Sequence, residues 1–346
     1  MLLLEQGKVE IGSGESKGTP SSPAPEHYDA EANRPGVLPR PSVAQQTIVR
    51  LFSVMNIPPE NLLIGIEMSD AIAEQLGKFE KAVRRCRLDL SGEAVHNIRV
   101  HCRRLIARLV LIEMAIPATN LHATKKPLKQ LLKILGGLRD VQVQKAALSA
   151  ELARQPEVGG LWIELGQREQ ELIRSSSRLV SEFKMGKLRR RLMIIQAELK
   201  NPAAHLAAKS VLGDSIIRAT HEAFDEVVLR TRAISSDDVS TVHRVRIAFK
   251  RFRYMVESLP ETVGRLSNAK LSALDGYQQA MGSIQDVQVL LDFLTTFSDL
   301  HPEVAWSLAS FKNTLQERRR QLAREFMTCA DKVHSFWPLQ STLQER

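Results

Sequence analysis

Val95-His96-Asn97-Ile98-Arg99-Val100-His101-Cys102-Arg103-Arg104 is echoed 147 positions later by Val242-His243-Arg244-Val245-Arg246-Ile247-Ala248-Phe249-Lys250-Arg251. A second pair follows: Leu135-Gly136-Gly137-Leu138-Arg139-Asp140-Val141 against Met281-Gly282-Ser283-Ile284-Gln285-Asp286-Val287, offset by 146. Two motifs that keep one spacing describe an internal duplication. At 346 residues the chain is longer than one hydrophobic core usually serves, which independently favours two domains or two similar halves.

Stepping 100° per residue from His96 puts Arg99 and Arg103 on the same narrow stripe, with Arg104 and Arg108 widening it. Ile98, Cys102, Leu105, Leu109 and Ile112 take the opposite face. In the second copy His243, Arg246 and Lys250 form the stripe, Arg251 flanks it, and Val245, Phe249, Phe252 and Val256 face away. Each half therefore offers an apolar back and a cationic front. A merely solvated face mixes signs, yet no Asp or Glu occurs between Val95 and Ala107 or between Val239 and Val256. Unrelieved like charge on one stripe calls for an anion. Arginine suits phosphate because its planar fork donates two hydrogen bonds and keeps its charge, and His adds a donor adjustable near neutrality. The stripe from His96 to Arg103 runs roughly 10 Å, a length that fits a chain of phosphates better than one small anion.

Working outward, the 3.6 periodicity continues almost without interruption after Pro59. Breaks at Pro, Gly, Asn and Asp predict helices near 61–89, 92–116, 122–155, 160–199, 204–233, 238–258, 265–299 and 303–334. Only 5% of the chain is aromatic, and that composition favours helix over strand. The fold class expected is all-α. Asn201-Pro202 divides the helices four and four, and short connections favour antiparallel neighbours, as in four-helix bundles. The boundaries expected are a flexible tail over 1–60, a first bundle over 61–200, a second over 201–335 and a C-terminal tail over 336–346.

The formal charge is +9. Residues 1–45 hold four bases and six acids, so the excess belongs to the folded part, and the partner expected is anionic. Further bases are Lys126, Lys129 and Lys133 at i, i+3 and i+7, then Arg190 within Arg189-Arg190-Arg191 and Arg319 within Arg318-Arg319-Arg320. The lysine stripe has no counterpart in the second half, where Asp275 and Gln279 take the aligned places, so the halves are expected to be unequal. Asp140 and Asp286, one per half without a second acid at ligand spacing, read as orienting partners for the Arg or His of the preceding helix. The glycine pairs read as points of close helix approach or a bend.

Three cysteines without paired spacing read as reduced thiols. With no leader and no apolar run long enough to span a bilayer, the expected location is cytoplasmic. No P-loop, acid pair or metal-ligand set is present, so neither a cofactor nor a metal is expected.

The duplicated HxxRxxx(R/K)R helix, each copy followed by G-x-(L/I)-x-D-V, resembles the CHAD domain across about residues 61–335. That resemblance implies two four-helix bundles related by a pseudo-twofold axis, with a basic groove that binds inorganic polyphosphate. It maps His96, Arg99, Arg103 and Arg104 onto the first basic helix, and His243, Arg246, Lys250, Arg251 and Arg253 onto the second. Gln285 stands where the first half has Arg139, and Lys250 replaces the commoner Arg. The function expected is non-enzymatic binding of inorganic polyphosphate or a similar polyanion, with polyphosphate granules as a destination and the N-terminal tail free to engage a protein. A nucleic-acid binder and an accessory to a phosphoanhydride-processing enzyme are the alternatives.

Overall fold

The computed structural model describes residues 59–115, 120–201, 212–235 and 238–338. Of the tail expected over 1–60, residues 1–58 lie outside the described residues and 59–60 begin the first helix; the first residues of the helix expected from 204 and the chain from 339 also lie outside.

All regular elements among the described residues are helical, as the periodicity requires. They run α1 (Pro59–Leu88), α2 (Gly92–Ala115), α3 (Leu121–Glu151), α4 (Gly159–Ser181), α5 (Met185–Lys200), α6 (Leu212–Arg232), α7 (Val239–Val256), α8 (Asn268–Leu300), the single turn α9 (Pro302–Ala305) and α10 (Ala309–Met327). Two 3₁₀ segments, Pro156–Val158 and Ala330–Ser335, supplement them. The two basic motifs begin α2 and α7. Asp238 caps α7 by accepting from Ser240 N at 2.9 Å, and Ser267 caps α8 through Lys270 N at 3.3 Å.

Two expected helices are broken. The segment predicted over 160–199 divides at Glu182–Lys184, where Phe183 turns inward to meet Phe79 edge-on at 5.9 Å. Arg87, in the last turn of α1, donates to the carbonyls of Val180, Ser181 and Phe183 at 3.4, 3.4 and 3.0 Å. Val180 O and Phe183 O also accept from Phe183 N and Met185 N at 3.3 and 2.9 Å, so Arg87 adds a second donor from a different helix to the carbonyls of this helix end. The segment predicted over 303–334 divides into α9, α10 and the 3₁₀ turn. Phe336 and Trp337, assigned to a terminal tail by the sequence pattern, are buried: Trp337 packs on Phe252 and donates from Nε1 to His221 Nδ1 at 3.1 Å. They complete an aromatic cluster with Phe249, Tyr277 and Phe326.

The apolar core does not stop at residue 201. One cluster runs from Ile64 on α1 through Ile98, Cys102 and Leu105 on α2 to Val245, Phe249 and Phe252 on α7 and on to Trp337. The seam is also bonded: Asn61 Oδ1 accepts from the buried Leu212 N at 2.8 Å, Glu67 accepts from Thr262 N and Oγ1 at 3.1 and 2.7 Å, and Gln144 Nε2 donates to Val289 O at 3.1 Å. A smaller cluster at the far end joins Leu148, Leu161 and Leu165 to Leu294, Leu308 and Phe311. Truncating a fully buried ring such as Phe249 to Ala costs about 3–5 kcal/mol. The packing that stabilises α2 and α7 therefore also fixes their separation.

Candidate functional site

With their apolar backs in that core, α2 and α7 turn their polar fronts toward one another across a cleft of 590 Å³. From α2 come His96, Arg99, Arg103 and Arg104, and from α7 come Arg246, Lys250, Arg253 and Tyr254. α3 adds Arg139 and Asp140, and α8 adds Asp275, Gln279, Ser283 and Asp286.

Backbone contacts aim two of the guanidinium groups. Arg99 Nη1 donates to Leu132 O at 2.7 Å, reaching over Gly136, where an added Cβ would stand 3.5 Å from that nitrogen. Arg139 Nη1 donates to Gly92 O at 3.1 Å. Gly136 thus lies against Arg99, whereas Gly137 faces Leu172.

The cations divide into two groups. Arg253 is neutralised by Glu257 and Asp275, both at 2.6 Å, and Arg104 sits 3.5 Å from Glu257. Among the described residues Arg99, Arg103, Arg139, Arg246 and Lys250 have no carboxylate within 4 Å, and Arg246 Nε is buried without a hydrogen-bond partner. Asp140 and Asp286 therefore do not form the orienting ion pairs expected of them. They stand in the cleft wall and act on the cations at longer range. Asp286 lies open at the mouth, but the walls strip enough water from it to raise its pKa against the pull of Arg246, Arg139 and Lys250.

Crowding of like charge marks the titration of the site. Burial, with Arg103 next, pushes Arg99 down to about 10. Burial and then Arg103, Arg246 and Arg99 push Lys250 down to about 7. His96 is held below its ordinary value by lost hydration and by Arg139, Arg103, Arg99 and Lys250. Burial leads each shift, and charges of one half add to the shifts of residues in the other.

Of the residues expected from sequence, the cleft gathers His96, Arg99, Arg103, Arg104, Arg246, Lys250 and Arg253. The others lie elsewhere. Arg108 is on a neighbouring pocket with Glu67, Asp70, Glu74 and Glu257, donating to Gln75 Oε1 at 3.3 Å. His243 donates from Nδ1 to Gln285 Oε1 and shares a separate pocket with Arg319, which donates to Gln288 Oε1 at 2.6 Å. Gln285 can accept that bond where Arg139 of the first half cannot, so His243 is drawn aside while His96 stays on the cleft. Arg251 and Arg190 are exposed outside the cleft, and Lys126, Lys129 and Lys133 are exposed along α3. Arg139 is a cleft residue that the sequence pattern alone does not single out, although it sits within the repeated glycine motif.

The CHAD domain model matches residues 70–295, most of the chain and both basic motifs. The chain belongs to the CHAD domain family. Among solved structures it is similar to the CHAD domain from the plant Ricinus communis, with a TM-score of 0.61 and 18% identity over 79% of this chain and 92% of that one. It is also similar to PptA from Streptomyces chartreusis, with a TM-score of 0.59 and 15% identity over 78% of this chain and 99% of that one. No curated protein sequence matches significantly. CHAD domains are generally binding domains, linked to polyphosphate and triphosphate. No helix among the described residues is long and apolar enough to cross a membrane.

Proposed function

We propose that this CHAD protein binds inorganic polyphosphate, without turnover, in the cleft between α2 and α7. One observation carries the reading: Arg99, Arg103, Arg139, Arg246 and Lys250 line one cleft from both halves of the chain without a carboxylate in contact. Repulsion within such a set costs energy in the empty protein and is relieved by a polyanion that touches several members at once. The buried Arg246 Nε supplies a donor that an oxyanion would satisfy. A linear chain of phosphates meets both helices, whereas a single phosphate meets one. A nucleic acid would seek the same charge, but single-strand binding relies on aromatic platforms, and among the residues lining the cleft Tyr254 is the one Phe, Tyr or Trp side chain. The expected setting is the cytoplasm, with polyphosphate-rich granules as a destination.

The test is calorimetry with long-chain polyphosphate, tripolyphosphate, RNA and duplex DNA at two salt concentrations. Polyphosphate is expected to win the panel, with affinity falling steeply as salt rises, because binding releases counterions. Arg103→Glu with Arg246→Glu abolishes binding while leaving the far-ultraviolet dichroism unchanged, since both residues lie on polar faces. Salt-independent binding, or binding that survives the double variant, refutes the assignment.

A further inference from the structure

Cations outside the cleft form a track along α3 of the first half. Lys126, Lys129 and Lys133 share a face of α3 with Asp140, which lines the cleft, and the stripe from Lys126 to Asp140 spans roughly 21 Å of helix. All three lysines are exposed, and none has a carboxylate within 4 Å among the described residues. Beyond them lies a pocket of 510 Å³ whose charged lining is Lys126, Lys184, Lys187, Arg191 and Glu182. Glu182 is turned away to Arg178 at 3.0 Å, so among the described residues the four bases have no carboxylate within 4 Å.

Arg191 is held in this pocket by a backbone defect. Proline has no N–H, so Pro127 leaves the Ala123 carbonyl without its helical donor, and Arg191 Nη1 takes that place at 2.6 Å. The break between α4 and α5 sets Lys184 and Lys187 on the same rim. The second half offers no equivalent track: Asp275 occupies the corresponding part of α8, engaged by Arg253 and by Gln279 Nε2 at 3.2 Å.

We propose that a long polyphosphate chain held in the cleft leaves it over the first half, along Lys133, Lys129 and Lys126, and is gripped a second time in the Lys126–Lys184–Lys187–Arg191 pocket. The proposal rests on the cleft being the polyphosphate site. It makes the protein a selector for chain length, because only a chain that spans both places gains the second contact. Tethering converts that contact into an intramolecular one and multiplies affinity without altering the cleft. Toward Asp275, which is paired with Arg253, the chain meets no comparable row of unpaired cations, and this asymmetry gives the bound polymer a direction.

The experiment compares tripolyphosphate with long-chain polyphosphate on the full chain and on Lys126→Gln with Lys187→Gln. These exposed side chains are expected to leave the melting temperature unchanged. Tripolyphosphate affinity stays within about twofold, long-chain affinity falls roughly tenfold or more, and the long-chain salt slope drops by about 1.5, for two lost phosphate contacts. Lys129→Gln with Lys133→Gln repeats the pattern along the track. Equal loss for both ligands, or no loss for either, overturns the second grip and leaves the cleft assignment standing. Failure of the unaltered protein to bind either ligand removes the cleft assignment itself.

Discussion

Replacing Lys250 by Met is expected to stabilise the empty protein while weakening its hold on polyphosphate. Lys250 faces Arg99 and Arg103 from α2, Arg246 from its own helix and Asp286 from α8, and these surroundings with burial push its pKa from 10.5 down to about 7. A tenfold loss of proton affinity corresponds to about 1.4 kcal/mol, so a drop of this size sets an upper bound of roughly 4–5 kcal/mol. Residual solvent and relaxation of the neighbouring arginines reduce that to about 2 kcal/mol. A lysine with a depressed pKa binds its proton more weakly in the folded state than in the unfolded one. The penalty is therefore full below about pH 7, shrinks as pH rises, and vanishes near the unfolded value of 10.5. Met keeps the length of the stem and removes the charge. Denaturant titrations at about pH 6.5 should show Lys250→Met more stable than the parent by about 2 kcal/mol, with the two converging toward pH 10. The same group makes binding pH-dependent: a polyanion draws Lys250 back to its charged form, so affinity weakens as pH rises through about 7, and Lys250→Arg flattens that profile. Equal or lower stability of Lys250→Met at pH 6.5 would refute the account of a lysine penalised by burial and by its cationic neighbours.

Two further outcomes follow from local structure. Gly77 lies inside α1 with nothing within 4 Å of where a Cβ would stand, so Gly77→Ala is expected to raise stability by about 0.5–1 kcal/mol in chemical denaturation. Cys86 and Cys102 are buried with thiols pushed up to about 12, mainly by burial, whereas Cys329 is partly open; a thiol reagent followed by peptide mapping should label Cys329 first and reach the other two only on unfolding.

What the sequence made legible was whatever is encoded within a few turns of helix. The all-α class and the basic fronts of α2 and α7 come from side chains three and four positions apart, and their apolar backs come from the same periodicity. Most of what escaped is set by residues distant along the chain, and the rest by residues just past the motif. The acid-free window of the second motif closes at Val256, and Glu257, the next residue, neutralises Arg253 and approaches Arg104 of the other half. Arg139 joins the cleft because α3 crosses the start of α2 and Gly92 O receives it. The break at Glu182–Lys184 has no proline or glycine to announce it; Arg87 and Phe79, a hundred positions earlier, make it. His243 leaves the stripe because a single distant residue, Gln285, differs from its counterpart.

The apolar side chains that back α2 also back α7, so the spacing between their cationic fronts is set when the protein folds and not when a ligand arrives. No hinge has to swing shut, and the guanidinium groups wait at their working distance. Capture then needs little reorganisation and is governed by long-range attraction, so ionic strength acts chiefly on the rate of arrival. A chain severed at the junction after Asn201 would leave each fragment with an uncovered oily flank, and neither would retain the gap between the helices on which the whole site depends.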